Sequence, residues 1–128
     1  MPIKITLDFC TLEFIDKIAI AVINEGVHVD YEISKAIAQA CTNYFKQAPF
    51  VYLSLRTNSY SVDVTKYSTL VNQMENLKGF GVISTSLSAR NAEIESLFLD
   101  LPFAIFDDLD EGLKWAKNIL DKNPKRIN

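Results

Sequence analysis

Residues 49–67, PFVYLSLRTNSYSVDVTKY, hold an apolar run, a polar octapeptide and the start of an amphipathic stretch in immediate succession. The proline followed by FVYLSL reads as a strand buried on both faces, because apolar residues fill most positions rather than alternate ones. RTNSYSVD, residues 56–63, then reads as a loop. Asp63 stands where a helix N-cap belongs, and Tyr67, Leu70, Val71, Met74 and Leu77 follow at spacings of three and four on one helical face. A buried strand, a polar loop and an amphipathic helix in this order form part of a parallel crossover, and that reading decides the fold class.

The same alternation extends outward. Upstream, Asp30 is a second N-cap candidate, and Ile33, Ala36, Ile37, Ala40, Cys41, Tyr44 and Phe45 mark the face of a helix that Pro49 closes. KIAIAVINEG before it is a near-continuous apolar run, a buried strand. Residues 3–9 alternate Ile3, Leu7 and Phe9 with Lys4, Thr6 and Asp8, the pattern of an edge strand, and a short polar turn is expected between the two. Downstream, GFGVIS is a strand, residues 88–99 a helix with Ala89, Ala92, Leu97 and Phe98 inward, and PFAIF the last strand. Asp108 with Glu111 three residues on resembles a capping box, and Leu109, Leu113, Ala116, Ile119 and Leu120 face inward on the last helix, with Trp115 at its periphery. The tail KNPKRIN reads as a frayed terminus. The expected fold is α/β, ββαβαβαβα: one domain over residues 1–128, a mostly parallel sheet with an antiparallel edge strand, covered by amphipathic helices joined in right-handed crossovers. Phe50, Val51, Leu53 and Leu55 belong to its central strand, with Val82, Ile83, Phe103 and Ile105 in neighbouring ones.

The chain has 128 residues, 48% hydrophobic and 23% charged, which suits one self-sufficient core. Thirteen basic and sixteen acidic residues give a formal charge of -3, so no basic field draws it to nucleic acid or an anionic membrane. The longest apolar stretch, IAIAVI, is too short to span a bilayer, and MPIKITLDF reads as a strand rather than a signal segment, so the expected location is cytoplasmic. Cys10 and Cys41 lie in no CxxC arrangement and are expected as free, buried thiols.

NEGVHVDYE, RTNSYSVD, ENLKGFGVIS, RNAEIESLF and PFAIFDDLDEGLKWA, taken with the element order, resemble the STAS and SEC14-type group. Within it the chain is most similar to the small bacterial proteins likened to the sporulation anti-anti-sigma factor. The resemblance implies a regulatory domain that binds a partner protein or a nucleotide. In some such domains a partner kinase phosphorylates a serine at the start of the helix after the third strand, which places Ser59 and Ser61 at that position. The acceptor turn there is Asp-Ser-Ser-Gly-like, and NSYSVD lacks the glycine.

The octapeptide supplies the candidate site: Arg56, Asn58, Ser59, Tyr60, Ser61 and Asp63. Ligands of open α/β sheets bind beyond the carboxyl ends of strands, where free N–H groups of a helix favour anions, and an exposed Arg56 would add a bidentate contact. In the alternative reading, Ser61 or Asp63 only caps the helix and Arg56 lies in solvent or pairs with an acid. His28, the single histidine, reads as an exposed turn residue, since no nucleophile elbow accompanies it. Asp107, Asp108, Asp110 and Glu111 lack the DxDxDG pattern and read as helix-start acids; no metal or cofactor is expected. Gly79 and Gly81 form no nucleotide loop. The expected function is a noncatalytic regulatory or protein-interaction module, using loop 56–63 and an adjoining helix face on a partner protein, a homo-oligomer being compatible with it. The alternative is a binder of a small anionic or amphipathic ligand in a shallow pocket.

Overall fold

The computed structural model describes residues 2–84 and 89–122, the side chains of residues 89–91 excepted. The readings made for residue 88, for the side chain of Ala89 and for the tail beyond residue 122 lie outside the described residues. In chain order the elements are β1 (Ile3–Thr6), β2 (Cys10–Ile15), β3 (Ile18–Ile23), β4 (His28–Val29), α1 (Tyr31–Phe45), β5 (Phe50–Leu55), β6 (Ser61–Val62), α2 (Val64–Gln73), β7 (Leu77–Ile83), α3 (Ala89–Ser96), β8 (Phe103–Phe106) and α4 (Leu109–Lys122).

Six strands make one sheet in the order β1-β2-β3-β5-β7-β8. β3, β5, β7 and β8 run parallel, with Ile20 opposite Leu53, Leu53 opposite Gly81 and Gly81 opposite Ala104. β1 and β2 add an antiparallel edge. The α/β class, the central place of β5 and the neighbouring places of Val82, Ile83, Phe103 and Ile105 are as the sequence predicts.

Side-chain alternation along the strands divides the core into two faces. Ala19, Ala21 and Phe50 point to the face where α1 packs through Ile37, Cys41 and Phe45, and Phe80 and Val82 continue that face under Tyr67 and Ala92. Ile18, Ile20, Val51, Leu53 and Ile83 point the other way, against Ala116 of α4. Because β5 buries both faces, it reads in sequence as a continuous apolar run, and each large side chain it hides contributes roughly 1.5–3 kcal/mol. Trp115, partly buried at the margin of this face as expected, packs its ring against β7. A Cβ at Gly81 would fall 3.1 Å from its ring and 2.7 Å from Leu53 Cδ2, so the glycines of GFG admit an indole onto the sheet.

Four local readings need correction. The first strand ends at Thr6 and the chain turns through Leu7, Asp8 and Phe9. The turn expected after it is itself a strand, β2, with Cys10, Leu12 and Phe14 buried and Thr11, Glu13 and Ile15 less so, and a second reversal follows at Asp16 and Lys17, with Asp16 at φ 53. Leu77 begins β7 instead of ending the helical face of α2. The segments at 28–29 and 61–62 pair as a separate two-stranded parallel sheet. Finally, Leu97 and Phe98 are not inward: they are 81% and 40% exposed, whereas Ala92, Glu95 and Leu99 are buried. A glutamate takes the inward position because a cation waits for it, and that turns the apolar residues out.

Candidate functional site

The octapeptide 56–63 lies beyond the carboxyl ends of the parallel strands, as expected, but it is fastened there rather than open. Arg56 N donates to Ile83 O of β7, Ser61 N to Val27 O and Asp63 N to Val29 O. Asn58 Nδ2 donates to Ile23 O at 2.8 Å, and Ser59 N to Glu25 Oε1 at 2.9 Å. Gly26, at φ +80, turns its N–H onto Ser59 O at 2.7 Å. A residue with a Cβ is strained at that φ, which gives the glycine of NEG a reason to be there. The loop is therefore a strap laid across segment 24–29.

Arg56 takes the acid-paired place of the alternative reading rather than that of an open anion contact, and it does so buried. Its side chain is 8% exposed and that of Glu95 3%, and the two form a bidentate pair, Nη1 to Oε2 at 2.6 Å and Nη2 to Oε1 at 2.7 Å. Arg56 Nε donates to Ser54 Oγ at 3.1 Å, Ser54 shares a hydrogen with Tyr60 OH at 3.2 Å, and the guanidinium lies 5.7 Å from the Tyr60 ring centroid. Tyr67 OH donates to Glu95 Oε1. Burial works against the Arg56 charge, but the hydrogen bonds to Glu95 outweigh it and hold the guanidinium protonated. Burial, with the Glu95 charge beside it, raises the Tyr67 phenol well above its ordinary range, so it stays a donor. An arginine with its fork closed on a carboxylate is not an open anion receptor. The ion pair instead clamps α3 to the end of β5.

Ser61 Oγ lies 2.7 Å from His28 Nδ1, and both residues are exposed. The contact joins two positions that the sequence separates, through the pairing of β4 with β6. Among the described residues the imidazole bonds no carboxylate, so the orienting acid of a catalytic triad is not part of this pair. Asp63 occupies the N-cap position of α2 but makes no side-chain cap bond; its Oδ1 accepts from Thr65 Oγ1 at 3.0 Å. Asp30 does cap α1, accepting from Ile33 N at 3.0 Å, and Asp108 Oδ1 accepts from Glu111 N at 2.9 Å at the start of α4. Among the described residues no group of three or more His, Cys, Asp or Glu side chains is placed to hold a metal ion, and no helix is long and apolar enough to cross a membrane.

Two cavities adjoin this loop. One is a crevice of about 950 Å³ outside the strand ends, bordered by the strap, Ile94 and Glu95 of α3, and Asp107 and Asp108 before α4. Arg56 is balanced by Glu95, and among the described residues Asp107 and Asp108 have no cation paired with them, Asp108 accepting instead from Glu111 N. The other is a mostly apolar cleft of about 70 Å³ between α1 and α2, lined by Ile37, Cys41, Val71 and Met74 over Tyr52 and Phe80. Burial pushes the Cys10 thiol up to about 11 and, with Cys10 adding to it, the Cys41 thiol up to about 12, so both free cysteines remain protonated and unreactive at neutral pH.

The exposed face of α3 was not legible as a site from the sequence. Ile94 near its end and Leu97 and Phe98 in the turn just after it are 54%, 81% and 40% exposed. The spacing was visible, but reading which side faces the sheet required the partner of Glu95. Compared with family models, with curated proteins and with solved structures, the chain matches none.

Proposed function

We propose that this chain is a noncatalytic interaction module of STAS type whose docking surface is the crevice at the carboxyl edge of the sheet together with the exposed end of α3 and the turn after it. The observation that carries the reading is the group Ile94, Leu97 and Phe98, large apolar side chains exposed at the end of α3 and in the turn that follows it, where the helix turns Glu95 inward. Exposed apolar residues gathered beside a groove mark binding surfaces, whereas scattered ones do not. The occupant is a partner protein presenting an apolar segment with basic flanks, because Asp107 and Asp108 are, among the described residues, acids of the adjoining wall that no cation pairs. A second copy of the chain would bring the same acids against each other, on a molecule already at -3.

The loop supplies the regulatory element. Ser59 and Ser61 are exposed on the crevice rim, and a phosphoryl group on Ser61 would meet His28, not Arg56. Added negative charge there strengthens attraction for a basic flank and disturbs the strap at once. The small-anion form of the alternative reading has the acids of the crevice against it.

A photoreactive residue at position 97 tests the surface. Cross-linking in the native cell should join it to a segment that mass mapping shows to be apolar with basic flanks. A synthetic peptide of that segment should bind in a salt-sensitive manner and lose affinity at least tenfold with Leu97→Asp, while the variant melts like the parent. Cross-links only to the same chain, or a peptide indifferent to Leu97→Asp, would refute the reading.

A further inference from the structure

The cleft between α1 and α2 shares Arg56, Tyr60 and Val62 with the crevice but is otherwise lined by other residues, and it combines two features that a close-packed interior rarely tolerates together. It is a void of about 70 Å³ walled mainly by carbon, with Ile37 and Cys41 on one side and Val71 and Met74 on the other. In its lining stands Ser34, whose Oγ is buried and, among the described residues, has no hydrogen-bond partner. Buried hydroxyls are almost always paired. Of the other polar side chains lining the cleft, Ser54, Tyr60, Tyr67 and Arg56 already bond to one another or to Glu95, which leaves the Tyr52 hydroxyl and the Cys41 thiol as the further groups a ligand could meet beside Ser34.

We infer that this cleft is a binding site for a small neutral amphiphile, an apolar body of roughly three to five heavy atoms bearing one hydroxyl or carbonyl. The size follows from comparison with an apolar cavity of about 150 Å³, which admits benzene. Met74 on the wall lets the space adapt, since its thioether chain repacks easily. The single polar group answers Ser34. Neutrality follows from the Arg56–Glu95 pair at the polar end: a carboxylate would find its cation already closed on Glu95, and an ammonium would find the carboxylate already taken.

Methyl and amide NMR of the intact chain, titrated separately with 1-butanol, butyrate and butylammonium, tests the inference. With 1-butanol, saturable shifts should appear at the methyls of Ile37, Val71 and Met74, and the two ions should bind at least tenfold more weakly. Ser34→Ala should weaken 1-butanol by about three- to tenfold, while xenon, which needs only the void, binds as before. Ala38→Leu fills the cleft from α1 and should abolish both, with thermal unfolding reporting that the fold persists. Shifts that rise linearly without saturation, equal binding of butyrate, or a Ser34→Ala variant that binds 1-butanol unchanged would each overturn the assignment.

Discussion

Arg56→Ala strikes the clamp on which α3 depends. The guanidinium makes two hydrogen bonds to Glu95, at 2.6 and 2.7 Å, from a side chain 8% exposed to one 3% exposed, so its loss leaves a carboxylate that water does not reach. Tyr67 OH is then the remaining donor to it, and Ser54 loses its bond from Nε. Removing one partner of a buried pair costs about 3–5 kcal/mol, a large share of the roughly 5–15 kcal/mol that holds such a domain together. Replacing the whole network by carbon is different, since desolvation of both charges is no longer required. Arg56→Met, Glu95→Leu and Tyr67→Phe combined should lie within about 2 kcal/mol of the parent. Urea denaturation followed by circular dichroism gives these differences, and hydrogen exchange should show α3 opening first in Arg56→Ala. A single variant costing under about 1 kcal/mol, or a triple variant as unstable as Arg56→Ala, would show that the pair is not a structural clamp.

The two helix starts predict a contrast: Asp30→Ala should cost about 1 kcal/mol because it removes the bond to Ile33 N, whereas Asp63→Ala should cost a few tenths at most, there being no cap bond to lose. Equal losses in urea midpoints would contradict the capping geometry. Alkali supplies the other test. Cys10 and Cys41 titrate at about 11 and about 12 in the folded chain against 9.0 when free, so the folded state holds more protons between those values. Stability is accordingly full below pH 9 and falls as pH rises through that window, by up to about 1.4 kcal/mol per pH unit for each thiol. Denaturation midpoints at pH 8 and 10.5 measure the decline, which Cys41→Val should lessen, leaving the part due to Cys10; a flat profile in the parent would refute burial of the thiols.

The α/β class was legible because periodicity survives in a single sequence. FVYLSL is apolar at nearly every position, since both faces of β5 are covered, and the spacing from Ile33 to Phe45 leaves one face for the sheet. Two caps were readable for a similar reason, Asp30 and Asp108 each bonding an N–H three residues on. β2 carries the same kind of signal, Cys10, Leu12 and Phe14 at alternate positions, but a short segment with Thr11 and Glu13 between them and Asp16 after them also suits a polar turn. The site depended on contacts distant in sequence. Arg56 and Glu95 lie 39 positions apart, and neither reveals alone that the other will cancel its charge. His28 meets Ser61 only because two-residue strands pair across the strap. Local propensity records how a residue suits its own helix or strand; the fate of a buried charge, and with it which face of α3 meets solvent, is settled only when the chain brings its partner within reach.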